Sequence, residues 1–316
     1  MNFKRKNKNP NYEKKYSKLK KFFIINQILI LLLFIGVGTV IYYNYDYLAF
    51  KYLIANKYVY TDTLDELFNS ELKQDTDKEY YTYFDDVVIS LVTKEIKNLN
   101  KDKYTYLYLP AEYADYKSRT KDKSESNTYF QINDSTIYLR LTNFSDYTTD
   151  YIKNIKDEIK IYDNLILDLR DNYGGTVKCL NFISDMFLPK GDIISTDISR
   201  GIFKSKPTKS KKNAVFDFNQ IVILQNENSA SSSEGLITAL NDNLDSVTLM
   251  GTKSYGKGIG QMTIDLKKGF AVKATTMYWN TPNNINIQGK GIEPDIIYEE
   301  NDITEFAAKY LKSLGK

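Results

Sequence analysis

Ile221-Val-Ile-Leu-Gln-Asn-Glu-Asn-Ser-Ala-Ser-Ser-Ser-Glu234 joins a short apolar run to a cluster of small hydroxyl residues, and Gly235-Leu-Ile-Thr-Ala-Leu-Asn241 continues it with apolar positions at helical spacing. Ile221 to Leu224 predict a buried strand, and the segment after the serines predicts a helix over 232–241. The strand therefore turns straight into a helix. Its serines fall where the first N–H groups of that helix have no intrahelical acceptor, a suitable place to develop an oxyanion. The same residues have an ordinary structural reading, because Ser231-x-x-Glu234 ahead of Leu236 and Ile237 is a capping box.

Outward from this unit, strand-type and helix-type runs alternate. Strands are predicted over 136–141, 165–169, 221–225, 247–250, 260–266 and 271–278, and helices over 149–160, 177–187 and 232–241. That order predicts α/β layers. Upstream, Val87, Val88, Leu91, Val92 and Ile96 recur at helical spacing and predict a helix over 85–99. The polar, aperiodic run from Lys117 to Asn127 predicts a loop or linker.

A second segment, Gly251-Thr-Lys-Ser-Tyr-Gly-Lys-Gly-Ile-Gly-Gln261, satisfies Gly-x-x-x-x-Gly-Lys and follows a predicted strand. It fails as a phosphate loop on two counts. Gly258 stands where Ser or Thr should hold magnesium, and Gln-Met-Thr-Ile-Asp-Leu then alternates like a strand where a helix is required. Lys257 has another possible use. A lysine in a dry pocket loses its preference for the charged form, and a neutral amine can deprotonate a serine hydroxyl. Taken alone, a lysine in a Gly-rich turn reads as a solvent-exposed side chain.

Composition narrows the chemistry. The 316 residues, 42% hydrophobic and 26% charged, suffice for one main globular domain with extensions. There is no histidine, which removes His-based triads and His-ligated zinc. The single Cys179 lies in Val-Lys-Cys-Leu-Asn-Phe-Ile and reads as the buried face of a helix rather than a nucleophile.

Phe22 to Tyr43 carry no charge and form a stretch long enough to span a bilayer as a helix, with Tyr42, Tyr43 and Tyr45 at the far interface. The preceding tail holds Lys4, Arg5, Lys6, Lys8, Lys14, Lys15, Lys18, Lys20 and Lys21 against Glu13. By the positive-inside rule the tail stays cytoplasmic and the bulk lies outside. The apolar stretch exceeds a secretory signal core and no small-x-small cleavage site follows it, so an uncleaved anchor is expected. Without the tail the chain is mildly acidic, which predicts no nucleic-acid face.

Together, Ser229-Ala-Ser-Ser-Ser-Glu234 and Tyr255-Gly-Lys-Gly-Ile-Gly-Gln261 resemble the motifs of the carboxy-terminal processing peptidases, or tail-specific proteases. Leu165-Ile-Leu-Asp-Leu-Arg-Asp-Asn-Tyr-Gly-Gly175 and Gln288-Gly-Lys-Gly-Ile-Glu-Pro-Asp295 are similar to two further motifs of that family, in the same order. The resemblance implies a ClpP/crotonase-like α/β superhelical core, with Ser231 as nucleophile, Lys257 as its base and Gln261 orienting the lysine. It also implies an oxyanion hole built from Gly174 or Gly175 together with the Ser232 N–H. Asp168 and Arg170 read as a structural pair locking a turn.

The family inserts a PDZ domain ahead of its core. Here only Ala114 to Asn127 separates Asp102-Lys-Tyr-Thr-Tyr-Leu-Tyr-Leu-Pro-Ala-Glu-Tyr113, which is similar to the family's pre-PDZ segment, from Tyr129-Phe-Gln-Ile. The PDZ domain is therefore expected to be missing. Tyr173 replaces the proline of the family's Gly-Gly turn.

The expected organisation is a basic cytoplasmic tail over 1–21, a transmembrane anchor over 22–43, a small helical subdomain and linker over 44–125, and a serine peptidase core over 126–316. The expected activity is cleavage of protein or peptide substrates outside the membrane, without metal or nucleotide. A non-catalytic membrane-anchored scaffold on the same fold is the alternative.

Overall fold

The computed structural model describes residues 10–60, 86–119, 127–200 and 205–314. In chain order its elements begin with α1 (Pro10–Tyr43), α2 (Tyr45–Lys57), α3 (Asp86–Leu99), β1 (Tyr106–Tyr108) and α4 (Pro110–Arg119). Then come β2 (Thr128–Asn133), β3 (Thr136–Arg140), α5 (Asp146–Ile159), β4 (Asn164–Asp168), α6 (Val177–Phe187), β5 (Ile193–Ser199) and β6 (Ser205–Lys209). The chain continues through β7 (Gln220–Gln225), α7 (Ser232–Asn243), β8 (Val247–Gly251), β9 (Ile259–Asp265), β10 (Ala271–Asn280), β11 (Ile296–Ile297) and α8 (Ile303–Leu314).

The larger sheet runs β11-β8-β7-β4-β3-β2, parallel except for the β2–β3 hairpin. Its central strands are buried on both faces, which explains their nearly continuous apolar sequences. Ile137, Leu139, Leu165, Leu167, Ile221, Ile223 and Leu249 pack against α5, α6 and α7. The residues between them, Tyr138, Ile166, Val222, Leu224 and Met250, pack against Ile303, Ala307 and Leu311 of α8. Ser145 and Thr176 cap α5 and α6 by accepting the N–H groups of Thr148 and Cys179. Cys179 is buried, and burial pushes its thiol up to about 11, consistent with a core role.

The smaller sheet is centred on β10, which pairs antiparallel with β9 along one edge and with β1 and β5 along the other. β5 continues into the edge strand β6, where Pro207 is tolerated. Val272 and Ala274 on one face of β10 pack with Phe50, Leu53 and Ile54 of α2 and Ile89 and Ile96 of α3. The described parts of segment 44–125, expected as a helical subdomain, are thus joined to this sheet. They supply strand β1 as well as helices, and α4 extends to Arg119 inside the run expected as a linker. Residues 120–126 of that run lie outside the described residues.

α1 carries one apolar stretch long enough to cross a membrane, with a mean hydropathy of 2.5 and none of it buried. Its far end is tied to the β9–β10 connection. The Lys267 ammonium donates to the Tyr42 and Tyr43 carbonyl oxygens, and the Lys267 N–H donates to Asp46 Oδ1 at 2.9 Å.

Candidate active site

Two neighbouring parallel strands, β4 and β7, end side by side, and each feeds a turn into a helix. The turn after β4 carries Asn172-Tyr-Gly-Gly175, and the turn after β7 carries Ser229-Ala-Ser231. They are bonded to one another: the Ala230 N–H donates to the Asn172 carbonyl oxygen, and Ser229 Oγ donates to that of Leu169 at 2.8 Å. A Cβ on Gly174, at φ +90°, would lie 2.6 Å from the Ala230 oxygen; one on Gly175, at φ +152°, would lie 2.1 Å from the Phe144 oxygen. Both positions therefore require glycine. Tyr173, the departure from the family's proline, points outward and is exposed.

Ser231 adopts φ 58°, ψ −117°, a left-handed conformation that costs a non-glycine residue on the order of 1–3 kcal/mol. That strain presents its side chain at the head of α7. Ser231→Gly is therefore expected to unfold at a higher temperature than Ser231→Ala, by about 1 kcal/mol in stability, as measured by thermal denaturation.

Burial decides which backbone donors face the site. The Gly174 N–H donates to Asn172 Oδ1 at 2.9 Å, and the Asn172 amide in turn donates to the Leu141 oxygen at 2.8 Å. Gly174 is thereby withdrawn as an oxyanion donor, a correction to the open choice between the two glycines. The N–H groups of Gly175 and of Ser232, the first residue of α7, have no acceptor among the described residues, and both residues line the cavity beside Ser231. Ser232 Oγ donates to the Gly175 oxygen at 3.1 Å, fixing the two relative to each other.

Lys257 enters from the loop between β8 and β9, and the chain beyond it is strand, as read from sequence. Gly256 and Gly258 permit a close approach, since a Cβ on either would lie 2.7 Å from the N of Gly291 or Gln288. The Lys257 backbone is held at both ends: its N–H donates to Glu234 Oε2 at 2.8 Å and its carbonyl accepts the Trp279 indole N–H at 3.0 Å. The side chain is half-buried, with Nζ 4.9 Å from the Tyr104 ring centroid. Burial, then the neighbouring charge of Lys273, lowers its pKa from the ordinary lysine value.

Ser231, Ser232, Gly175, Lys257 and Gln261 all line one cavity of about 320 Å³. The structure brings these predicted residues together but forms no hydrogen bond among Ser231 Oγ, Lys257 Nζ and the Gln261 side chain within the described residues. Gln261 Nε2 is buried with no partner among the described residues. Catalytic hydrogen bonds are often loose without substrate. Asp168 and Arg170 lie outside the cavity lining. Asp168 is fully buried and receives Arg170 Nε at 3.0 Å, Arg170 Nη2 at 2.6 Å and the Tyr138 hydroxyl at 2.6 Å. That geometry locks a turn, as read from sequence.

Glu234 does more than cap a helix. Fully buried, its carboxylate accepts the Ser231 N–H at 2.8 Å, the Ser254 hydroxyl at 2.6 Å and the Gly256 N–H at 2.6 Å, besides the Lys257 N–H. One side chain thus fastens the Ser231 turn to the Lys257 loop. The capping-box spacing reveals half of this role; the bonds to Ser254, Gly256 and Lys257 carry no sequence signal. Asn172 lies within the quoted Gly-Gly motif, and its bonds to Leu141 and Gly174 give it a role that the motif alone does not state.

Comparison with known proteins bears on the family of the chain. Over 174 residues, covering 52% of this chain and 38% of the relative, the chain is 38% identical to a carboxy-terminal-processing protease of Bartonella bacilliformis. It is 33% identical over 165 residues to a carboxyl-terminal-processing protease of Synechocystis, again 52% of this chain and 38% of the relative. The matched stretch is thus less than two fifths of these relatives' own length. A lipoprotein from Streptococcus agalactiae shares the fold, with a TM-score of 0.66 at 16% identity, covering 86% of this chain and 96% of the other. The sequence profile of peptidase family S41 matches residues 135–298, from the start of β3 to just past β11 and so through both site turns and the lysine loop, and the chain belongs to that family.

Proposed function

We propose that this chain is a membrane-anchored serine endopeptidase with Ser231 as nucleophile and Lys257 as general base. Its substrates on this reading are extracytoplasmic proteins, cut near their C-termini or in unfolded segments. The observation that carries the reading is the shared cavity, in which a strained serine at a helix start and a half-buried lysine of lowered pKa are tied to the same buried carboxylate.

In the proposed cycle Lys257 Nζ takes the Ser231 Oγ proton as Oγ bonds to the peptide carbonyl carbon. The oxygen that becomes anionic is received by the Gly175 and Ser232 N–H groups. Collapse breaks the C–N bond, and the Lys257 ammonium protonates the departing amine. A water then gives a proton to Lys257 and attacks the acyl ester, and Ser231 regains its proton as the acid leaves. Gln261 orients the lysine, and the parallel strand–helix units support a ClpP/crotonase-like core. α1 supports a single-pass anchor with a cytoplasmic N-terminus. Only Ala114 to Asn127 stands where a PDZ domain would be, so substrate choice falls to the core itself.

Full-length protein in detergent, incubated with an unfolded protein, tests this. Ser231→Ala should leave no cleavage above background. Cleavage equal to wild type would reject the assignment and favour a non-catalytic scaffold, the reading that the missing Ser231–Lys257 hydrogen bond would otherwise suit.

A further inference from the structure

Lys273 lines the cavity that holds Ser231 and Lys257, and in the proposed cycle it exchanges no proton and receives no substrate group. Val272 and Ala274 on either side face the α2–α3 packing layer, so strand alternation turns Lys273 toward the cavity. Its ammonium lies 5.7 Å from the Tyr106 ring centroid and 5.5 Å from that of Tyr116, and these rings fix where the charge sits.

What Lys273 lacks among the described residues is an anion. Surface lysines of this chain find one readily: Lys153, Lys160, Lys178 and Lys253 each lie 2.6–2.8 Å from a carboxylate. Lys273 is half-buried, yet among the described residues it has neither an ion pair nor a hydrogen bond. The carboxylate on the cavity wall, Asp197, is opposite Trp279 in the β5–β10 register, six positions along from Lys273. At about 3.3 Å per residue that sets their Cα atoms roughly 20 Å apart along the strand, and the two form no ion pair.

A partly desolvated cation with no counter-ion is costly, and an arriving carboxylate would meet charge-assisted hydrogen bonding strengthened by the reduced dielectric. Lys273 lines the same cavity as Ser231 and Lys257, and its positive charge lowers the pKa of Lys257. We infer that Lys273 is the receptor for a substrate carboxylate, held within a residue or two of the bond that Ser231 attacks. The carboxylate is either the C-terminal one of the substrate chain or an Asp or Glu side chain, two sources with the same chemistry. The inference rests on the peptidase reading and deepens it, because it places substrate selection inside the catalytic cavity.

The test measures binding of labelled peptides to full-length Ser231→Ala protein in detergent by fluorescence anisotropy. One peptide pair differs only in a free or amidated C-terminus; a second, amidated, pair differs only in Glu or Gln at one interior position. At least about tenfold tighter binding of a carboxylate member over its neutral partner is expected. Adding Lys273→Met should reduce that ratio to about twofold or less, and Lys273→Arg should restore it. Preference for the free acid identifies the chain end as the ligand, and preference for Glu identifies a side chain; either supports the receptor. No preference, no binding of any peptide, or a preference that survives Lys273→Met overturns it. Cleavage of the same peptides by protein retaining Ser231 is read separately. Carboxylate preference without cleavage rejects only the peptidase reading, and cleavage without preference rejects only the receptor.

Discussion

Lys257→Met is expected to lower kcat for cleavage of an unfolded protein by at least about a thousandfold, with KM changed far less. Methionine keeps the length of the stem but offers no basic nitrogen, so nothing accepts the Ser231 proton as Oγ attacks. The chain contains no histidine that could take over. The fold should not suffer. The Lys257 side chain is half-buried without an ion pair among the described residues, and removing such a charge from a partly desolvated place is neutral or stabilising. Thermal unfolding at or above the wild-type midpoint, together with the loss of kcat, separates a chemical role from a structural one. Wild-type kcat in the variant would remove Lys257 from the mechanism.

Glu234→Gln is expected to damage stability and activity together. Each carboxylate oxygen accepts two bonds, Oε1 from Ser254 and Gly256 and Oε2 from Ser231 and Lys257. A glutamine must put an NH2 group in place of one oxygen, which loses two acceptor bonds and sets donors against donors. Bonds to a charged acceptor contribute on the order of 1.5–3 kcal/mol each, so a loss of about 3 kcal/mol or more follows, or roughly 10 °C in the unfolding midpoint. The same bonds set the Ser231 turn against the Lys257 loop, and a displacement of about 1 Å between reacting groups can cost a hundredfold in rate. A variant with wild-type kcat and midpoint would show that Glu234 is not the fastener.

The elements that sequence placed best are those whose signal is local. α6 has the predicted bounds because Cys179, Leu180, Ile183, Met186 and Phe187 mark one helical face between the Thr176 cap and Leu188. β4 and β7 show as short apolar runs because both their faces are covered. β6 carries no strand signal, since Ser205-Lys-Pro-Thr-Lys209 is an edge strand with no apolar alternation. β1 is three residues long and owes its existence to β10, far along the chain. At the site, the family resemblance implies Ser231, Ser232, Gly174 or Gly175, Lys257 and Gln261, and the structure lines one cavity with Ser231, Ser232, Gly175, Lys257 and Gln261. The choice between Gly174 and Gly175 hangs on the Asn172 side chain, and the role of Lys273 hangs on the absence of an anion around it among the described residues. The Asn172 bond spans only two residues and lies within the quoted motif, whereas the surroundings of Lys273 come from elements distant in the chain.

The central claim is that a neutral Lys257 removes the Ser231 proton, and the most direct measurement is the pH dependence of Ser231 acylation by an activated ester, whose leaving group needs no proton. Burial and the charge of Lys273 lower the Lys257 pKa, and only the neutral amine can accept a proton. The wild-type rate should therefore rise with pH along a single limb whose midpoint lies below the ordinary lysine range, then level off. In Lys257→Met the rate should be far lower, with that limb gone. The same limb in both proteins would contradict the account.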